Sequence, residues 1–308
     1  MICRGTDTLE LLRADYLRSH DVKPGYAQQL EISARSFARW YESQTGQLLT
    51  LPRINEPMAC EWLHWLRSQG RTPRTCNGKR GDLLTLWRHA VRRSLLPPPL
   101  AEEIVRFREP QRNPTAWTQP QLDAILAAAA TQKIGRAVPG WGRDHDRAAL
   151  LLIYDTAFRL SAVLALTTAS LRDDGALLAA AETQKTLTDE IRWLGPDTLD
   201  AVRTIHPGLL FPAAVPAPLL PWPFSRRAFT DRWLRIVEAA GLPTGRREGP
   251  QKMRRTSASW CEAAAPGAGK RQLGHRTPGL AEKNYIDRTI APAMRAADLL
   301  PRIGKRDG

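Results

Sequence analysis

Residues 96–120 read LPPPLAEEIVRFREPQRNPTAWTQP, with prolines at 97, 98, 99, 110, 114 and 120. Proline lacks the N–H that continues a helix or a sheet ladder and locks φ, so no regular element runs through this stretch. Apolar residues at helical spacing resume on both sides of it. A chain of 308 residues is long enough for two separate cores. The expectation is therefore two domains, residues 1–108 and 116–308, joined by a linker over 109–115.

Upstream of the prolines, four segments repeat apolar residues every three or four positions: DTLELLRADYLRSH, YAQQLEISARSFARWYESQTG, EPMACEWLHWLRSQG and TPRTCNGKRGDLLTLWRHAVRRSLL. Each predicts an amphipathic helix. In the last, Leu83, Leu86, Trp87, Ala90 and Val91 form one stripe, Thr72 can cap the start, and Pro73 suits the first turn. Opposite the stripe lie Arg80, Arg88, Arg92 and Arg93, preceded by Arg67, Arg71, Arg74 and Lys79, with only Asp82 opposing. Such a face can grip phosphates, and a plain solvated helix surface fits this segment equally well.

The whole chain decides in favour of a polyanion. Its 45 Lys and Arg against 31 Asp and Glu leave a formal charge of +14, and both halves are cationic. That field attracts nucleic acid and excludes a role for either half as an acidic effector. No run approaches the ~20 apolar residues a membrane helix needs, and no signal-peptide pattern opens the chain, so a cytoplasmic protein is expected. Cys3, Cys60, Cys76 and Cys261 fall in no CxxC or histidine-paired spacing, so neither a disulfide framework nor a metal is indicated.

Downstream, a helix is expected from Thr118, then two apolar helices within RDHDRAALLLIYDTAFRLSAVLALT joined near Thr156. GALLAAAETQKTLTDEIRWLG reads as short strands around a turn, and LFPAAVPAPLLPWPF as a proline-punctuated loop. A helix from Ser225 to about Ala240 and a helical last third complete the pattern.

Within these segments five polar residues stand in apolar surroundings: Arg159 in TAFRLSAVLAL, Lys185 in AETQKT, Arg254 in QKMRRTSAS, and His275 and Tyr285 in QLGHRTPGLAEKNYI. Taken singly, each reads as an ordinary structural residue: a salt-bridge arginine, a surface lysine, a turn histidine, a packing tyrosine. Taken in this order and at these distances, the segments resemble the boxes of the tyrosine recombinase (phage integrase) family, and the resemblance spans most of the chain. Two positions depart from the pattern. Gln251 stands where the second box usually has histidine, and Ala162 where an acidic residue commonly follows the first arginine. Gln can hold a hydrogen bond but cannot carry a proton.

The resemblance implies a mainly α fold: a helical, SAM-like core-binding domain, then a mainly helical catalytic domain with a small antiparallel sheet. It implies a site-specific recombinase that cuts and rejoins DNA through a 3′-phosphotyrosyl link on Tyr285, with Arg159, Arg254 and His275 on the phosphate, Gln251 beside them, and Lys185 as general acid. No cofactor is required, since the link stores the bond energy. The expected partner is double-stranded DNA, held through Arg74, Lys79, Arg80, Arg88, Arg92 and, at the domain boundary, Arg108 and Arg112. A short helix expected over residues 293–300 has a family counterpart that docks on a neighbouring protomer, implying a homo-tetramer on DNA. Two other classes stay open: a DNA-binding relative that Gln251 has disabled, and a monomeric type IB topoisomerase-like enzyme.

Overall fold

The computed structural model describes residues 8–111, 113–131, 141–172, 174–181, 188–206, 217–220, 226–245, 247–275, 277 and 279–291. Lys185, Arg112 and the helix expected over 293–300 lie outside the described residues, as does most of the loop 210–224. The chain divides into two compact units, residues Met1–Gln111 and Arg112–Gly308. Among the described residues no helix is long and apolar enough to cross a membrane.

The first unit is built from α1 (Leu9–Ser19), α2 (Pro24–Thr45), α3 (Glu56–Ser68) and α4 (Pro73–Arg92). Their limits follow from local chemistry. The Thr8 hydroxyl accepts from the Leu11 amide, Asn55 from Met58 at 2.9 Å and Thr72 from Thr75 at 3.2 Å, each satisfying an N–H that a helix start leaves without a partner. Pro24, Pro57 and Pro73 occupy first-turn positions where no amide donor is needed. Phe37, Trp62, Leu63, Leu86 and Trp87 are buried at the centre. Truncating one such tryptophan costs ~3–5 kcal/mol.

After the triple proline, the chain stays bound to this unit. Trp87 Nε1 donates to the Pro97 carbonyl at 2.9 Å, and Asn77 both donates to the Phe107 carbonyl (2.8 Å) and accepts from its amide (3.0 Å).

The second unit contains α5 (Gln119–Thr131), α6 (Arg143–Thr156), α7 (Leu160–Val163), β1 (Ala176–Ala179), β2 (Glu190–Trp193), α8 (Pro196–Ile205), α9 (Arg226–Ala239), α10 (Gln251–Ala264), α11 (Ala268–Leu273) and α12 (Leu280–Asn284). The buried helix α6 packs against α5, α8 and α10, and its Leu150, Leu152 and Ile153 join Trp117, Phe158, Val163, Leu177, Trp233 and Met253 in the main core. α7 is a single turn where the leucine-rich sequence suggests a longer helix. Its continuation turns away to pair with residues 217–219, the Leu166 carbonyl accepting from Leu219 and the Ala217 carbonyl from Thr168, both at 2.8 Å.

Strands β1 and β2 form a two-stranded antiparallel sheet with Leu177 opposite Arg192 and Ala179 opposite Glu190. Its orientation inverts the usual pattern. Ile191 and Trp193 are 48% and 65% exposed, whereas the Glu190 and Arg192 side chains are only 12% and 14% exposed on the side shared with buried Leu177 and Ala179. A short strand that shows its apolar residues to water and turns its charges inward has something charged to meet there.

Candidate active site

Arg159 follows a tight break. At the end of α6, Ala157 takes a left-handed conformation with φ 49, unusual for a residue with a Cβ, and the next side chain, Phe158, is buried in the core. That anchor sets Arg159, half-buried, at the start of α7.

Helix α10 contributes Gln251 and Arg254, one turn apart and so on one face. Gln251 is exposed, while Arg254 is 2% exposed. Two donors of the Arg254 guanidinium go to backbone carbonyls, that of Ala157 and, at 2.9 Å, that of Leu273, and its buried Nε has no hydrogen-bond partner among the described residues. Burial and the adjacent Arg159 push this guanidinium down to about 10, while Tyr285 and Glu190 act in the opposite direction. It remains a cation at neutral pH. No carboxylate lies within ion-pair distance of it among the described residues.

His275 is delivered by the end of α11. The Gly274 amide bonds to the Arg271 carbonyl at 3.0 Å and the His275 amide to the Lys270 carbonyl at 3.2 Å, the paired closure of a Schellman turn. That turn needs Gly274 at φ +65, and a Cβ there would also fall 2.8 Å from Glu190 Oε1. Burial, then Arg254 and Arg159, push the imidazole down to about 4, so it is neutral at physiological pH. Its Nδ1 is buried without a hydrogen-bond partner among the described residues.

Tyr285 ends α12, held by its neighbours. Ser259 Oγ donates to the Tyr285 carbonyl at 3.3 Å and accepts from the Asp287 amide at 2.8 Å, and Ile286 is buried with Ala157, Ala258 and Leu273. The phenol ring itself is half-buried. It meets the His275 ring edge-on at 4.8 Å between centroids, lies 5.5 Å from the Arg254 guanidinium carbon, and has its hydroxyl 3.5 Å from Gln251 Nε2, at the outer edge of hydrogen-bond reach.

Five of the six residues singled out from the sequence as a catalytic set thus converge: Arg159, Gln251, Arg254, His275 and Tyr285. The sixth, Lys185, is outside the described residues. Ala162 is buried on α7, and the carboxylate acting on Arg254 is that of Glu190. Glu190, Arg192 and Gln272 are neighbours that sequence reading passed over. Two-residue alternation in DEIRW puts Glu190 and Arg192 on one face, but ordinary patterning turns Ile191 and Trp193 inward instead.

On the first unit, Arg74, Arg88, Arg92 and Arg108 are exposed, and Lys79 is half-buried with its ammonium pushed down by burial. Arg80 spends two donors inside the unit, on the carbonyls of Ala101 and, at 3.1 Å, Ile104. Arg93 is paired with Asp15 at 2.8 and 3.1 Å. Asp82 still acts on Lys79 of this face, its charge favouring the ammonium. It is buried against α2, accepting from Ser33 at 2.6 Å and Gln29 at 2.9 Å.

No family model matches the chain, and no curated protein matches it in sequence. Solved structures do match. A lambda integrase dimer bound to a COC′ core site superposes with a TM-score of 0.69 at 17% identity, covering 91% of this chain and 78% of that one. A lambda integrase tetramer bound to a Holliday junction gives 0.69 at 16% identity, covering 91% and 76%. The Tn1549 transposon integrase in complex with circular intermediate DNA gives 0.66 at 16% identity, covering 96% and 100%. Over nearly its whole length, then, the chain has the fold of the tyrosine recombinases.

Proposed function

We propose that this protein is a site-specific DNA recombinase that cleaves and rejoins strands through a 3′-phosphotyrosyl intermediate on Tyr285. One observation carries the reading: a phenol packed against a buried guanidinium that has no ion-pair partner among the described residues, and a histidine kept neutral. A cation held this way by carbonyls awaits an anion.

Attack on a phosphodiester builds charge on the equatorial oxygens, and Arg159 and Arg254 can each fork onto two of them. Such prepositioned donors typically contribute a few kcal/mol apiece. The Tyr285 oxygen forms the new bond to phosphorus while the bond to the 5′-oxygen breaks. The phenolic proton passes to the neutral His275 imidazole, a task Gln251 cannot perform. Lys185 protonates the leaving 5′-oxygen, and attack by a 5′-hydroxyl reverses the sequence. Arg74, Lys79, Arg88, Arg92, Arg108 and Arg112, with the remaining donors of Arg80, hold the duplex by its phosphates. Four copies assemble on DNA through exchange of the C-terminal tail, in the cytoplasm.

The test is to incubate the protein with nicked duplexes drawn from DNA flanking its own gene and to look for a denaturant-resistant adduct. An adduct in the wild type that vanishes in Tyr285→Phe is expected. DNA binding with no adduct, restored by Gln251→His, would instead mark a disabled relative, and relaxation of supercoils by a monomer would mark a topoisomerase.

A further inference from the structure

The inward charges of β2 have no part in the chemistry just described, yet they lie against it. Arg192 Nη2 donates to Glu190 Oε2 at 2.8 Å and to the Gln272 carbonyl at 3.2 Å. Its guanidinium carbon also sits 5.3 Å from the centroid of the Phe158 ring, directly before Arg159. Glu190 in turn lies so close to Gly274 that a single added carbon there would touch both its carboxylate oxygens, at 2.8 and 2.9 Å. Gln272 continues the link, donating to the Asp155 carbonyl at 2.5 Å, near the end of α6. One strand thereby ties together the two turns that present Arg159 and His275.

We propose that Glu190 is a positioning residue for the strand-cleavage site: paired with Arg192, its carboxylate holds the Gln272–His275 turn in place and supplies the nearby negative charge for the otherwise cationic Arg159–Arg254 pair. The role rests on Tyr285 being the nucleophile. The physical need is clear, because two guanidiniums crowded in a partly buried pocket repel one another before DNA arrives. A carboxylate set back behind Gly274 offsets that repulsion without occupying the phosphate's place. Glu190 therefore favours the arrangement ready for reaction rather than the binding of DNA.

The experiment compares the wild type with Glu190→Gln, which keeps the shape and removes the charge, and with Glu190→Asp, which keeps the charge and shortens the reach. On nicked duplex at saturating concentration, Glu190→Gln is expected to slow adduct formation about tenfold, as for loss of ~1.4 kcal/mol, with DNA binding as tight as or tighter than in the wild type and Glu190→Asp in between. Amide exchange at Gly274 and His275, measured without DNA, should quicken in Glu190→Gln while amides in the core of α6 keep their protection.

An unchanged rate together with unchanged exchange at the turn would overturn the proposal. So would a loss of rate matched by equal loss of DNA binding or by exchange throughout the unit, which would make Glu190 a general stability residue. If the wild type forms no adduct, the nucleophile assignment fails by itself, and the exchange measurement still decides whether Glu190 holds the turn.

Discussion

The cations on α4 and those around Tyr285 belong to the same residue type but are held in opposite ways. Arg74, Arg88 and Arg92 stand in water, where a charge costs nothing to keep and a phosphate contact replaces well-hydrated ions. Arg254 has been stripped of water, and its donors are divided between carbonyls and a site it cannot fill itself. Exposed charge gives affinity that salt erodes; buried, prepositioned charge gives rate.

That difference is open to direct attack. The largest effect is expected from Arg254→Ala, which should cut adduct formation at saturating DNA by about 10³-fold, with Arg254→Lys recovering little because an ammonium cannot reproduce the forked carbonyl contacts. A loss no greater than that of Arg88→Gln would abolish the distinction. Next, the triple change Arg74→Gln, Arg88→Gln and Arg92→Gln should lower the slope of log affinity against log salt by about 3 and leave the saturated cleavage rate intact. A fall in that rate would show that the surface arginines do more than bind.

Gln251→His should raise the cleavage rate by up to about tenfold, since it adds a second proton carrier within reach of the phenol. Single-turnover kinetics would read the gain. The smallest effect concerns stability alone. His275 is held near 4 in the folded chain against an ordinary 6.5, so the unfolded state takes up the proton first as pH falls. The stability that His275 contributes is complete above about pH 6.5 and declines toward pH 4, and thermal melts of His275→Gln should show a flatter acid limb. An acid limb identical to that of the wild type would mean the imidazole is not desolvated as described.

The helices of the first unit were legible because the signals agreed there: apolar spacing in all four and, in the last, a cap at Thr72 and a first-turn proline at Pro73. The members of the site were legible only through resemblance, since nothing local to Arg159 or Tyr285 announces what the fold brings beside it. What escaped reading shares one cause. Periodicity states which residues share a face but not which face turns inward, so neither the bonds of Asp82 to Ser33 and Gln29 nor the inward turn of Glu190 is visible in the sequence. Arg80 was likewise read as a free cation, because carbonyls 21 and 24 residues away leave no trace in the side-chain pattern. α7 stopped after a turn for a similar reason, its successor residues having found partners at 217–219.

Arg254 is clamped by a carbonyl 97 positions behind it and another 19 positions ahead. The first contact needs the end of α6 docked on α10, and the second needs the end of α11 there. A chain caught half-assembled owns its tyrosine but no fixed charge next to it. The complete clamp on this cation therefore exists only where three segments distant in the chain have come together, and no stretch of α10 taken alone can hold it.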